Sequence, residues 1–395
     1  MAMIHPPSQR VHHSPPALID DAMSEIFLRI PADDPKSLVL AAAVCTAWRR
    51  ILCDLIFTRQ YRKFHGAPPM LGFLRNTYHD KQYEEYVVSN FVSTASFRSP
   101  ACHESRHWHV LDSRHGLVLF QTRKTKRGED LVVCDLVTYD RWRINLSPEL
   151  SDIIWDDENV ENEMVTWNAA VLCAKDQCDH TYCHYGPFLV ALVSSDEEQD
   201  ITFASVYSSV TRKWSDMISI PEQDLMQMAG RIAVMGDKVY FQCEGVETTV
   251  EYNIGEQELS RFDLPGEDEE FDESEVDLVG VDDDGMLLFT TVLGPRLYLW
   301  SLEACPNVAE HWSRRRVIEL GPLLPPRALF GISVVGFAEG VGAVFLNTDA
   351  GLYTIDELNS GSGRSKKVHG EKSVRRVMPY MSFYTKAWGR SRTSH

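Results

Sequence analysis

Three cysteines and two histidines form the most conspicuous chemical cluster of the sequence, within twelve residues. They are Cys173, Cys178, His180, Cys183 and His184. Zinc takes four nitrogen or sulfur ligands in a tetrahedron, so this segment contains enough ligands for one ion. The cluster lacks the paired C-x2-C spacing of common zinc knuckles, and no second pair follows nearby. We therefore favour a loop between two strands, keep a zinc site as the alternative, and expect no cofactor.

Other segments match catalytic or binding motifs only in part. The acidic runs 149–163 and 267–277 are typical of solvated loops, although an acidic surface can also attract a basic substrate. Residues 282–285 lack the spaced ligands of a calcium-binding loop. Residues 340–345 lack the third glycine of a dinucleotide loop. No pattern indicates a catalytic set, so we do not expect an enzyme; a β-propeller hydrolase or oxidase is the alternative from that class.

Composition restricts the partners and the compartment. The chain has 395 residues, 44% hydrophobic and 24% charged, which is typical of folded proteins. Its net charge of -18 opposes nucleic-acid binding, and only the segment 364–395 is locally basic. No apolar run is long enough to span a membrane, and residues 1–16 lack the apolar core of a secretory signal. Nine cysteines then indicate reduced thiols, so we expect a cytoplasmic or nuclear protein without nucleic-acid or membrane partners.

The predicted secondary structure, which must position any site, changes from helices to strands near Pro68 and Pro69. Residues 1–16 are rich in proline, histidine and serine and are predicted to be a disordered arm. Residues 17–66 show helical periodicity and predict three helices, which begin near Asp20, Ser37 and Asp54. So small a helical unit buries little surface, so we expect it to pack against a partner or the next domain. Residues 386–395 are predicted to be a basic flexible tail.

The region 70–385 is predicted to be an all-β domain, because it contains many short apolar runs separated by turn residues. A weak repeat of strand, turn and a strand bearing Trp or Leu begins near Val133, Ser205, Val250, Leu299 and Leu352. Such spacing fits the blades of a β-propeller, whose single sheets cannot bury both faces alone. A β-sandwich pair is the alternative. We expect ring closure to need a late strand within 374–384.

The helical segment resembles an F-box, and the chain as a whole resembles a plant, grass-type F-box protein with a propeller-like second half. The resemblance is carried by the segments 18–21, 25–31 and 43–52, and more loosely by 64–73 and 115–119. The V-C-x-x-W-R element, with L-x-I-P at 28–31 upstream, is its most specific part. The family usually has proline after the first leucine, where this chain has Ile19.

This resemblance implies the substrate-recognition subunit of an SCF-type cullin–RING ubiquitin ligase. The helices would bind a Skp-type adaptor and the propeller an unknown protein substrate, without covalent chemistry by this chain. Carried over by position, the adaptor contacts are Leu18, Ile26, Leu28, Ile30, Pro31, Val44, Cys45 and Trp48. The alternatives are a non-ligase interaction scaffold with a vestigial F-box, and a helical cap that packs only on its own propeller.

Overall fold

The structure of the protein is a computed structural model that describes most of the chain. The described residues are 20–81, 84–94, 108–122, 131–138, 140–154, 167–175, 178, 186–196, 200–221, 230–243, 248–263, 276–281, 285–303, 311–356, 364–370, 374 and 376–384. The predicted arm at 1–16 and the predicted tail at 386–395 lie outside these residues, as do most of the two acidic runs.

Four short helices precede the first strand within residues 20–65, where the sequence predicts three. Asp34 caps the second helix by accepting the backbone N–H of Ser37, and Asp54 caps the fourth by accepting that of Ile56. The third starts at Cys45, whose backbone is extended with φ -158° and ψ 166°. The predicted second helix is therefore interrupted at Cys45. The four are α1 (Asp20–Leu28), α2 (Pro35–Val44), α3 (Thr46–Leu52) and α4 (Leu55–His65).

Six antiparallel sheets follow, and each forms one blade of a β-propeller. Blades 1, 2 and 3 begin at His109, Trp167 and Ile232. Blade 1 contains β3 (His109–Arg114), β4 (Leu117–Gln121), β5 (Leu131–Asp135) and β6 (Arg141–Ile144); blade 2 contains β7 (Trp167–Cys173), β8 (Phe188–Asp196), β9 (Ile201–Ser208), β10 (Lys213–Trp214) and β11 (Ile218–Pro221); blade 3 contains β12 (Ile232–Met235), β13 (Lys238–Gln242), β14 (Thr248–Asn253) and β15 (Glu258–Asp263). Helix α5 (Pro148–Ile154) lies between blades 1 and 2 in sequence.

The remaining blades close the ring. Blade 6 joins the two ends of the domain, because the last strand of the propeller pairs with the first strand after the helices. Blade 4 contains β16 (Val276–Val281), β17 (Leu287–Leu293), β18 (Arg296–Glu303) and β19 (His311–Glu319); blade 5 contains β20 (Ser333–Ala338), β21 (Ala343–Thr348), β22 (Gly351–Asp356) and β23 (Ser365–His369); blade 6 contains β24 (Val377–Met381), β1 (Met70–Lys81) and β2 (Glu84–Ser93).

The propeller prediction is confirmed, and the structure adds the number of blades. The register between β1 and β24 places Phe73 opposite Pro379 and Leu74 opposite Met378, so the late strand expected within 374–384 does close the ring. The first strands of the blades, from β3 to β24, surround a central channel. Their neighbours around the ring make direct contacts, as between β3 and β7 or β20 and β24.

Each copy of the predicted repeat begins in the third strand of a blade. Val133 pairs with Trp142 in blade 1, and Tyr207 pairs with Trp214 in blade 2. In blade 3 the equivalent partner is Leu259, so the degenerate copy is a true blade. The turns in blades 2 and 3 contain Arg212 (φ 56°) and Gln257 (φ 55°), each two residues before the Trp or Leu.

The hydrophobic core consists of layers between neighbouring blades. Leu119 and Val133 of blade 1 pack with Val190 of blade 2, and Phe345 of blade 5 meets Phe73 of blade 6 at 5.3 Å between ring centroids. The middle strands are covered on both faces, so β4 and β8 consist almost wholly of buried residues. This is why they appear in the sequence as continuous apolar runs and not as alternating patterns.

Candidate functional site

The junction of α2 and α3 presents an uncharged surface to solvent. Helix α2 buries Leu38 and Ala42 in the helical core, which directs Leu40 and Val44 away from it. Leu40 is 57% exposed and Val44 is 62% exposed. One helical turn separates these two residues, so they lie on the same face. We call the exposed set Leu40, Ala43, Val44, Cys45 and Ala47 the α2–α3 corner.

The corner exists because the chain bends at Cys45. The Cys45 thiol lies 3.5 Å from the backbone N–H of Trp48, at the start of α3. Trp48 turns inward, and its ring meets Phe27 edge to face at 5.2 Å. The Arg49 side chain donates to the carbonyl of Ala42 at 3.2 Å and so ties the two helices together. The exposed apolar residues are thus held on a braced turn.

The structure describes seven of the eight residues implied by the F-box resemblance, and it places them in different environments. Ile26, Pro31, Val44 and Cys45 are exposed, Ile30 and Trp48 are half-buried, and Leu28 is buried in the helical core. Leu18 lies outside the described residues. The exposed members are available for direct contact with a partner. Leu28 and Trp48, by contrast, contribute to the packing that shapes the surface.

Four further apolar residues of the helices are exposed and were not identified from the sequence. They are Leu40, Leu55, Ile56 and Phe64. Leu55 and Ile56 form the first turn of α4, before the buried stripe of Phe57 and Tyr61 begins. Phe64 lies near the end of α4, and its side chain is 58% exposed. Large exposed apolar side chains concentrated in so short a segment are typical of interaction surfaces.

The helices are anchored to the propeller through the segment after β24. Phe383 is buried, and its ring lies 6.3 Å from that of Tyr61, nearly perpendicular to it. The guanidinium of Arg62, itself fully buried, lies 5.6 Å from the centroid of the Phe383 ring. The Tyr61 hydroxyl donates to the carbonyl of Ile30 at 2.8 Å, and burial raises the pKa of Tyr61. The helical unit therefore shares a core with the last segment of the propeller.

A charged network crosses the channel at Arg114, the last residue of β3. Its Nε donates to Asp112 at 3.2 Å, and its Nη1 donates to both carboxylate oxygens of Glu339 in blade 5 at 3.2–3.3 Å. Its Nη2 donates to the carbonyl of Ile232 in blade 3 at 2.7 Å. Burial lowers the pKa of Arg114, but Asp112 and Glu339 outweigh it and leave the pKa raised. Arg114 thus joins three blades, and each of its three nitrogens already donates to a carboxylate or a backbone carbonyl.

Two buried titratable groups lie near the junction of blades 6 and 1. Burial raises the pKa of Asp135 to about 6, although it accepts the backbone N–H groups of Val137 and Thr138 at 2.7 and 3.1 Å. The hydroxyl of Tyr380 also lies 3.4 Å from Asp135. Burial lowers the pKa of His109 to about 4, and the nearby positive charge of Arg376 makes a smaller contribution in the same direction. Asp135 shapes a turn and contacts Tyr380, while the Nδ1 of His109 lies 3.3 Å from the side-chain oxygen of Gln121.

The zinc hypothesis falls mostly outside what the structure describes. Cys173 ends β7 and Cys178 follows it, while His180, Cys183 and His184 lie outside the described residues. In the described part of the chain, no group of three or more potential ligands is close enough to hold a metal ion. None of the helices there is long and apolar enough to cross a membrane.

Comparison with known proteins shows no family for this chain. No family model matches the chain, and no curated protein matches its sequence. Among solved structures, the Dos1 propeller is 9% identical over 73% of this chain and 67% of its own, with a TM-score of 0.36. A Lactobacillus plantarum protein is 8% identical over 78% and 98% of the two chains, with a TM-score of 0.37. TolB from Acinetobacter baumannii is 12% identical over 82% and 70%, with a TM-score of 0.33.

Proposed function

We propose that this chain is the substrate-recognition subunit of an SCF-type ubiquitin ligase. In this account the helices bind a Skp-type adaptor and the propeller binds the protein to be modified. The observation that carries the proposal is the α2–α3 corner, which coincides with the V-C-x-x-W-R element of the F-box resemblance. Val44 and Cys45, two residues implied as adaptor contacts, are both exposed there.

The physical argument concerns the apolar surface that the helices leave uncovered. Leu40 and Val44 are more than half exposed, and neither is shielded by a charged neighbour within the corner. The free energy gained by burying such surface is about 25 cal/mol per Å². The centre of a stable protein interface is apolar and poor in charge. The corner has this composition, and two exposed charged residues, Arg49 and Arg50, follow it in the sequence.

The contact between the helices and the propeller supports a receptor in which the helical segment and the propeller act as one body. Phe383 connects the helical core to the closing blade of the propeller. A substrate held by the propeller would therefore sit at a defined distance from the adaptor. Such positioning raises the local concentration of substrate next to the rest of the ligase, which is how a non-catalytic subunit accelerates a reaction.

The direct test is co-expression of the chain with a plant Skp-type adaptor, followed by size-exclusion chromatography. We expect a single peak that contains both proteins in equal amounts. Separate elution of a folded chain and adaptor would contradict the ligase role and would favour the interaction scaffold. The cytoplasmic or nuclear compartment and the cullin–RING partner stay predictions that follow from this result.

A further inference from the structure

A cavity of about 510 Å³ occupies the central channel. First strands of five blades contribute to its wall, and the linker of Gly66, Ala67 and Pro68 between helices and propeller covers part of it. Binding pockets for small organic molecules usually measure about 300–1,000 Å³. The cavity volume lies within that range, so the cavity is large enough for a small organic molecule.

Arginines dominate the polar part of the wall. Arg114, Arg231 and Arg376 line the cavity, together with two carboxylates, Asp112 and Glu339. Asp277 adds a third carboxylate 3.4 Å from Arg231, so the arginines and carboxylates around the cavity are equal in number. Low-dielectric walls strengthen the attraction between a single guanidinium and an anion.

Arg231 differs from Arg114 because one of its nitrogens lacks a hydrogen-bond partner among the described residues. Its Nη2 lies 3.4 Å from Asp277 and donates to the carbonyl of Val334. Its Nη1 is buried and has no partner among the described residues. A buried N–H group without an acceptor is costly. A modest turn of this guanidinium toward the cavity would let Nη1 donate to a ligand.

The rest of the wall is apolar. Ile232, Val279, Val335, Phe337 and Met378 line the same space. A ligand that satisfies both parts of the wall combines an anionic group with a hydrocarbon body. Inorganic phosphate or sulfate would meet the arginines but leave the apolar wall in contact with water.

We propose that the channel binds a small organic acid, whose carboxylate accepts a hydrogen bond from Arg231 and whose apolar body packs against the channel wall. This site is separate from the α2–α3 corner and does not depend on adaptor binding. It assigns to the propeller a small-molecule site in addition to any protein substrate.

The test uses the purified full chain and a matched pair of probes, 3-phenylpropanoate and the uncharged 3-phenylpropanamide. We expect isothermal titration to detect binding of the acid and at least tenfold weaker binding of the amide. Inorganic phosphate serves as the probe for charge without an apolar body and should bind less tightly than the acid. Equal affinity for acid and amide, or no binding of the acid at millimolar concentration, would overturn the proposal.

Two variants separate the role of Arg231 from general charge effects. Arg231→Met keeps much of the side-chain volume and should weaken binding of 3-phenylpropanoate at least tenfold. Arg296→Met is the matched control, because Arg296 pairs with Glu319 at the exposed edge of blade 4 and does not line the cavity. It should bind the acid as the wild type does. Unchanged affinity in a folded Arg231→Met variant would contradict the assignment.

A measurement on the wild-type chain keeps the proposal testable if Arg231→Met fails to fold. Hydrogen exchange followed by mass spectrometry compares the chain with 3-phenylpropanoate and with the amide. We expect the acid to slow exchange at 334–340 and 376–383, which line the channel, and to leave the outer strand β15 unchanged. Protection that is absent, or equal with the amide, would overturn the proposal.

Discussion

The ring of Phe383 lies 6.3 Å from the ring of Tyr61, at an interplanar angle of 78°. Phe383 follows the last strand of the propeller, and Tyr61 belongs to the last helix of the N-terminal segment. Both side chains are buried in the same cluster, together with Phe27 and Phe57. The helical segment therefore obtains part of its core from the opposite end of the chain. This contact compensates for the small amount of surface that four short helices can bury alone.

Phe383→Ala should loosen the helices more than the blades. Truncation of a buried phenylalanine costs about 3–5 kcal/mol, and here that loss falls on the contact with Tyr61 and Arg62. Hydrogen exchange should therefore accelerate in α1 and α4, while blades 3 and 4 keep their protection. Phe330→Ala is the control, since Phe330 is 66% exposed. Uniform acceleration across the chain would show that the helices and propeller unfold together.

Arg114→Met should destabilise the propeller strongly. The substitution leaves Asp112, whose side chain is 7% exposed, without its guanidinium partner, and it breaks the link to Glu339. Removal of one partner of a buried ion pair costs about 3–5 kcal/mol. A urea unfolding curve of the full chain should show this as a lower midpoint. The exposed pair of Arg296 and Glu319 offers a contrast, and Arg296→Met should leave the midpoint unchanged.

Asp135→Asn should change how stability depends on pH. Burial raises the pKa of Asp135 from 3.8 to about 6, so between these values the folded state binds the proton more tightly than the unfolded state. The stabilisation is complete below pH 3.8 and is lost as the pH rises through about 6. Relative to Asp135→Asn, the wild type should lose about 3 kcal/mol across this window.

The comparison needs only urea midpoints of the two proteins at several pH values. Asparagine can still accept the N–H groups of Val137 and Thr138, so the turn should survive the substitution. Parallel midpoints from pH 4 to pH 7 would show that Asp135 does not titrate in this range.

The sequence predicts those strands that are buried on both faces. β4, β8 and β21 contain continuous apolar runs. Such runs can be recognised in the sequence without knowing which strands lie beside them. Outer strands such as β6 and β23 alternate weakly and are largely exposed, so nothing in their composition separates them from loops. The repeat was recognisable in blades 2 and 3 because the turns that contain Arg212 and Gln257 have local residue preferences.

The helical segment illustrates where local reasoning fails. The sequence analysis continued the second helix through Cys45, because cysteine is not a helix breaker and its neighbours keep a helical period. The extended backbone at Cys45 depends on tertiary contacts, such as that between Trp48 and Phe27. The exposure of Val44 and the burial of Leu28 follow from this packing, so a motif alone could not separate surface residues from core residues.

The channel network could not be predicted from the sequence at all. Arg114, Ile232 and Glu339 are far apart along the chain and meet only when the ring closes. Nothing near Arg231 in the sequence distinguishes it from an exposed arginine. Such sites depend on the positions of whole blades, which single-sequence patterns do not specify.

The central claim is most directly tested by the affinity of the chain for a Skp-type adaptor, measured by calorimetry for two matched variants. Val44→Asp places a charge in the α2–α3 corner, where Val44 is 62% exposed, and Val210→Asp places one on a propeller turn, where Val210 is 69% exposed. A charge at the centre of an apolar interface costs about 2 kcal/mol or more, which is about 30-fold in affinity. We predict that loss for Val44→Asp and wild-type affinity for Val210→Asp. Equal affinities for the two variants, or no measurable binding by the wild type, would contradict the account.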